Sequence, residues 1–218
     1  LGLNRTRDAI DVLQKAFDLI DEWTRNDAQG ARSRLFFVSI GRELGELLRV
    51  RHPERALAVY DHSLLRLSTV LDNAEARRGQ AVLLAGSAYA LRGLGRTDEA
   101  GRRSDAAFRV LAKAGEYATP QRSRNTSVET LLRARGDHFA DIGQPRRAVE
   151  IYEELLNRLE ASKLEPRHDL RDAVTLSVTY ASLACRSRKL NQRRNCRPNV
   201  RENGFATGTC SILIFGRA

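Results

Sequence analysis

The sequence has no methionine and begins at Leu1, so we expect a fragment or processed piece, in which a missing signal peptide carries no weight. Cysteine is scarce: Cys185, Cys196 and Cys210 all lie in the last 34 residues, at separations of 11 and 14. An odd count, with no C-x-x-C and no paired histidine nearby, argues against a disulfide framework and against a zinc site. Long apolar runs are missing too. The longest, over 81–91, is about half of the ~18–20 residues that span a bilayer, so no membrane span is expected. Lysine is nearly absent, with 4 against 33 arginines, which GC-rich coding explains as well as phosphate contact does.

What is present reads as a globular chain of 218 residues, 42% hydrophobic and 29% charged: one domain's worth, or a short repeat array. The formal charge of +10 invites a nucleic-acid reading. Its distribution weakens that reading. Residues 1–185 hold 29 basic and 26 acidic side chains, a net of +3, whereas 186–218 hold 8 and 1, a net of +7.

Helical periodicity runs from Arg5 to about Leu190, as in Ile10, Leu13, Phe17 and Ile20, or Leu64, Leu67 and Leu71. Strand-like alternation is confined to 212–215. Breakers separate the helical stretches at 26–30, 52–53, 73–79, 93–97, 119–125, 143–145 and 165–168. Pro53 and Pro145 suit a first helical turn, and Thr97 or Asp98 suits a cap.

Four stretches share one grammar: Ala9/Leu13/Ala16, Ala56/Tyr60/Ser63, Ala100/Ser104/Ala107 and Ala148/Tyr152/Leu155, with anchoring alanines 47, 44 and 48 residues apart. The stretch before each of the last three carries a small residue flanked by bulky ones: Leu44-Gly45-x-x-Leu48, Leu84-x-x-x-Ala88-x-x-Leu91 and Leu132-x-x-x-Gly136-x-x-Phe139. We expect small residues of paired helices to face each other so that the backbones approach closely.

On these residues the chain resembles the tetratricopeptide-repeat family, most clearly over Leu132-Arg-Ala-Arg-Gly136-Asp-His-Phe139-Ala-Asp-Ile-Gly143-Gln-Pro-Arg-Arg-Ala148-Val-Glu-Ile-Tyr152. The period exceeds the usual ~34, leucine stands at the tryptophan position, and most copies lack the closing proline. The resemblance implies an all-α, right-handed α-solenoid of helix–turn–helix pairs over 1–190, ragged at both ends, with 191–218 as a basic tail. Residues 5–25 read as a second helix without its first, and Tyr180–Ala184 opens a fifth repeat. Its anchor would fall on Cys196, where Pro198 and Gly204 break a helix. We therefore expect 191–218 to be disordered or foreign to the array, and uncapped end repeats to offer a route to self-association.

Catalytic and metal signatures are missing. His52, His62, His138 and His168 form no H-E-x-x-H, and the spacing of His138 and Asp141 reads as an ordinary surface contact. Gly93-x-Gly95 lacks the preceding strand of a phosphate loop. Asn125-Thr126-Ser127 fits a glycosylation sequon in a loop. We expect no cofactor, no metal and no enzymatic activity.

The resemblance implies a concave groove lined by the first helix of each pair, here Arg42, Glu46 and Arg49, then Tyr89 and Arg92, then Arg133, Asp137 and Asp141. The family's carboxylate-clamping members place Lys and Asn at matching positions. These faces hold no Asn and carry mixed charge, so the expected partner is a peptide or protein segment with mixed charges of its own. The setting it implies is a cytoplasmic interaction scaffold or regulatory arm of a bacterial signalling protein, such as a serine/threonine kinase. The alternative is nucleic-acid binding through the basic stretch from Arg186 to Arg194, with Arg197 and Arg201. On the groove reading, Arg133→Glu or Asp137→Lys impairs partner capture and leaves helicity intact.

Overall fold

The computed structural model describes residues 2–26, 30–68, 74–113, 122–162 and 169–195. Among them every regular element is helical: α1 (Gly2–Asn26), α2 (Ala31–Leu48), α3 (Pro53–Leu67), α4 (Ala74–Gly93), α5 (Thr97–Lys113), α6 (Arg122–Asp141), α7 (Pro145–Ala161) and α8 (Leu170–Asn195). The strand candidate at 212–215, and Cys196, Pro198, Gly204 and Cys210, lie outside the described residues. Helix α8 runs without a break to Asn195, past the boundary near 190.

Short turns set the pairing α2–α3, α4–α5 and α6–α7. Pro53 and Pro145 stand in the first turns of α3 and α7, where no amide donor is needed. Gly95 and Gly143 take left-handed φ values of 72° and 76°, which a side chain would resist. Their neighbours close the preceding helices: the Arg96 amide donates to the Leu91 carbonyl at 2.9 Å, and the Gln144 amide to that of Phe139 at 2.8 Å. The expected capping of α5 differs. Thr97 is already its first residue, and its hydroxyl turns back to the Gly95 carbonyl at 3.5 Å. Asp98 and Glu99 occupy the first turn, where negative charge favours the helix dipole.

Two breakers prove to be helical in part. Helix α4 takes in Gly79, because a Cβ there would stand 3.1 Å from Val38 Cγ1: the glycine lets α2 and α4 approach. Helix α6 takes in Asn125, so the sequon lies on a helix rather than in a loop. The weak helix propensity of Asn, Thr and Ser is a matter of tenths of a kcal/mol. It yields to the burial of Val128, Leu131 and Leu132 further along the same helix.

Each helix packs on the next, and α2 also meets α4, and α4 meets α6. The first helices of successive pairs therefore line one face, and the second helices stand behind. This is an α-solenoid of three full pairs with a lone helix at each end of the described array. One apolar cluster joins α1 to α4 through Phe17, Phe37, Leu44, Tyr60 and Leu83. A second joins α4 to α7 through Leu84, Leu111, Leu132, Tyr152 and Leu155. The anchors Ala56, Ala100 and Ala148 are fully buried, whereas Ala9 on α1 is half-buried.

The small residues of the first helices do something other than expected. Gly45 and Gly86 do not face small residues; both lie against the ring of Tyr60, which α3 inserts between α2 and α4. A Cβ on Gly86 would stand 2.6 Å from the ring carbon Cζ. Gly136 likewise receives Tyr152 of α7, with a Cβ placed 2.8 Å from Cε2. Small does meet small at Gly41, which faces Ser63, and Ala88 clusters with Ala100. Overpacking a dense core costs about 1–3 kcal/mol, so Gly86→Ala should lower the chemical-denaturation stability by that amount, and Tyr60→Leu in the same chain should restore part of it.

Helix α1 is fastened to α3 by a buried carboxylate. Asp21 accepts hydrogen bonds from Arg66 Nε at 2.8 Å and Arg25 at 2.5 Å, and meets His62 Nε2 at 2.7 Å. Burial pushes its pKa up, but the bonds from Arg66, His62 and Arg25 together bring it down to about 2 from an ordinary 3.8. A carboxyl depressed by folding stabilises above its unfolded pKa and loses that contribution as pH falls through the folded value. Asp21 should therefore add about 1–2 kcal/mol above pH ~4, after allowing for the exposed Arg25, and lose it between pH ~4 and ~2. Asp21→Asn should flatten the stability profile over that window in acid-unfolding titrations.

Candidate functional groove

The concave face is built by α2, α4 and α6. An open groove of about 610 Å³ crosses it. Leu35, Val38 and Val82 give it an apolar strip, flanked by Arg42, Arg78 and Arg133 and by Glu43, Glu46 and Glu75. Of the residues expected from sequence, Arg42, Glu46, Arg49, Tyr89 and Arg133 line it. Arg92, Asp137 and Asp141 do not; they form the network that closes its far end.

That network centres on Asp137. Tyr152 donates to its Oδ1 at 2.7 Å, Arg186 to the same oxygen at 2.7 Å, and Tyr89 to its Oδ2 at 3.2 Å, while Arg92 approaches to 3.5 Å. Arg92 also donates to Asp141 at 2.6 Å. Its burial works against the charge, but the Asp141 bond and the Asp137 carboxylate outweigh this and hold the guanidinium protonated. Burial first, then the Asp137 charge, push the phenols of Tyr89 and Tyr152 above the ordinary tyrosine range, so both remain hydroxyl donors.

A smaller version recurs one pair earlier. Tyr60, also pushed up by burial and then by Glu46, donates to Glu46 Oε1 at 3.3 Å, and Arg49 pairs with Glu46 at 2.8 Å. The guanidiniums of Arg49 and Arg92 lie over the Tyr89 ring, at 4.6 and 5.2 Å from its centroid. These contacts are worth about 0.5–1 kcal/mol each where exposed, more where desolvated. Arg133 donates to Thr179 of α8 at 3.2 Å, and Arg42 is paired with its neighbour Glu43.

Asp141 takes its hydrogen bond from Arg92, and its charge still acts on the His138 imidazole. The imidazole packs on Gly101 of α5, where a Cβ would come within 2.7 Å of Nε2. Burial is the chief cause that lowers its pKa. Arg186, first of the basic stretch, is tied to Asp137 and lies 5.6 Å over the Tyr152 ring, so it belongs to the Asp137 network. Residues 196–218, which carry Arg197 and Arg201, lie outside the described residues. No group of three or more His, Cys, Asp or Glu among the described residues is arranged to hold a metal.

Sequence reasoning missed the upper half of the groove, although the signal was there. Leu35, Val38 and Ser39 precede Arg42 by seven, four and three residues; Val82 precedes Tyr89 by seven, and Thr130 precedes Arg133 by three. All continue the same helical faces towards the N-termini. The role of Asp137 also differs from expectation. Four donors converge on a carboxylate whose side chain is 17% exposed, so Asp137→Lys does not leave the fold untouched. Breaking such a network strands buried partners at about 3–5 kcal/mol. Asp137→Lys should lower the melting temperature well beyond Tyr152→Phe, which removes only the phenol's bonds to Asp137 and Ser182 and strands no charge; differential scanning calorimetry of both variants measures the gap.

No protein-family model and no curated protein matches the chain. Among solved structures, BtubC (BKLC) from P. vanneervenii is similar with a TM-score of 0.56 and 12% identity, over 95% of this chain and 98% of that one. A TPR-like protein from Chlorobium tepidum TLS is similar over 69% of this chain and 97% of its own, with a TM-score of 0.43 and 17% identity. At 12% identity the likeness to BtubC speaks for the fold alone. That fold is an all-α solenoid of helix–turn–helix pairs, the architecture that the tetratricopeptide resemblance implies.

Proposed function

We propose that this chain is an interaction scaffold that holds a peptide or protein segment in its concave groove, by binding and without a chemical step of its own. One observation carries the proposal: the groove across α2, α4 and α6 joins an apolar strip to side chains of both signs. Apolar surface supplies affinity through burial. Charges of both signs select register and exclude partners of a single sign. Such a surface fits an extended or helical segment with an apolar stripe and mixed charge. At the far end Asp137 and its donors are tied to one another, and the apolar strip lies away from them, so recognition falls to the half around Leu35, Val38 and Val82.

The wider setting we propose is a regulatory arm of a bacterial signalling protein of the serine/threonine-kinase type, working in the cytoplasm; only the sequence resemblance supports that setting. No helix among the described residues is long and apolar enough to cross a membrane.

Affinity capture from a lysate of the source organism tests the groove, with the full chain compared against Arg42→Glu and Val82→Asp. We expect each variant to keep its helical circular-dichroism spectrum and to lose about tenfold or more of the captured partner, a change of at least ~1.4 kcal/mol. Undiminished capture by both variants removes the groove from the account. Capture that disappears on nuclease treatment replaces it with a nucleic-acid partner.

A further inference from the structure

A second cleft, of about 750 Å³, meets the concave groove only at Glu46 and lies where the N-terminal half of α1 meets the turn between α2 and α3. Three arginines line it from separate elements, Arg7 of α1, Arg51 of the turn and Arg55 of α3, and His52 lines it with them. On the concave face the guanidiniums are committed to neighbours, Arg49 to Glu46, Arg92 to Asp141 and Arg133 to Thr179. Here the situation is different. The side chains of Arg7, Arg51 and His52 have no hydrogen-bond or ion-pair partner among the described residues, and that of Arg55 has one long bond, 3.4 Å to Gln14 Oε1.

Two carboxylates border the same cleft. Glu46 is taken up by Arg49 and Tyr60, which leaves Asp11 as the one uncommitted acid against three arginines. Half-buried Ile10 and Leu47 give the cleft an apolar floor, and Val50, 81% exposed, stands at its rim. Gathering like charges around a concave apolar surface raises the energy of the empty cleft, and a multiply charged anion lowers it.

We propose that this cleft is a binding site for an organic phosphate monoester. A carboxylate offers two oxygens and a single charge. A phosphate monoester offers three terminal oxygens and nearly two charges, which matches the fork geometry of several guanidiniums. The apolar floor and the volume call for an organic body beyond the phosphate, since pockets of about 300–1,000 Å³ hold small organic ligands. Ile10, Leu47 and Val50 cover that body, Arg7, Arg51 and Arg55 neutralise the phosphate, and Asp11 accepts from a hydroxyl or amide on the ligand.

Isothermal titration of the full chain with phenyl phosphate, inorganic phosphate and benzoate at low ionic strength tests the site. Phenyl phosphate should bind about tenfold or more tightly than inorganic phosphate, which lacks the body, and than benzoate, which lacks the second charge. The double variant Arg7→Ala/Arg51→Ala should lose about tenfold or more of that affinity while keeping its helical spectrum, and its unliganded melting temperature should stay level or rise as the repulsion is removed. Arg42→Glu, in the concave groove, should bind phenyl phosphate as the parent does.

A short phosphotyrosine peptide separates the two sources of such a group. Tighter binding of the peptide than of phenyl phosphate assigns a phosphorylated protein segment, and equal binding assigns a free organic phosphate; either outcome upholds the site. Equal affinity for benzoate and phenyl phosphate overturns the proposal, and so does binding that the double variant leaves unchanged.

Discussion

The array depends on tyrosine rings set into gaps left by glycines. Tyr60 fills the space that Gly45 and Gly86 leave on two successive first helices, and Tyr152 fills the space over Gly136. Each ring is almost wholly removed from water, and burying such a side chain is worth about 1.5–3 kcal/mol. The cost is a phenol hydroxyl at the far side of the ring that needs an acceptor. The residue after the glycine supplies it: Glu46 follows Gly45, and Asp137 follows Gly136. Packing from behind and polar order on the concave face are thus one construction, because the ring reaches from one layer of helices to the other.

Once the carboxylates are placed, arginines collect around them. Arg49 pairs with Glu46, Arg92 and Arg186 gather at Asp137, and the Tyr89 ring lies beneath Arg49 and Arg92. This chain of contacts joins α2, α4, α6 and α8, so successive pairs are coupled along the concave face as well as through the core. The groove has an ordered end, where donors and acceptors satisfy each other, and an open end around the apolar strip. On the proposed reading, selectivity falls to the open end, where an apolar strip lies beside charges of both signs.

Much of the fold was legible in the sequence because the determinants are local. The recurring Ala anchors, the Gly95 and Gly143 turns and the two prolines each act within a few residues, and the helices stand where they point. The partners of the glycines were not legible from local pattern. Close approach of two small residues and reception of a large ring require the same small residue, and only the neighbouring helix decides between them. A longer-range sign exists all the same: a Gly–acid pair precedes a tyrosine by 15 residues at Gly45 and Tyr60, and by 16 at Gly136 and Tyr152. Breakers misled where burial further along a helix outweighed weak propensity, as at Asn125. The arginine-lined cleft was out of reach, since Arg7 and Arg51 are brought to one cleft only through the packing of α1 on α2.

The tyrosine sockets also bear on how the repeats relate to each other as parts. Tyr60 and Tyr152 occupy the same place in their helices, and α5 holds the buried Ser104 there instead. The pairs are therefore not exchangeable modules. A helix like α5 transplanted into the place of α3 would leave a ring-sized void over Gly45 and Gly86. A helix like α3 in the place of α5 would drive a phenol into a seam where alanines already touch. Shuffling or duplicating single pairs would break the fold, and the order of plug and seam dictates the order in which the repeats can follow one another.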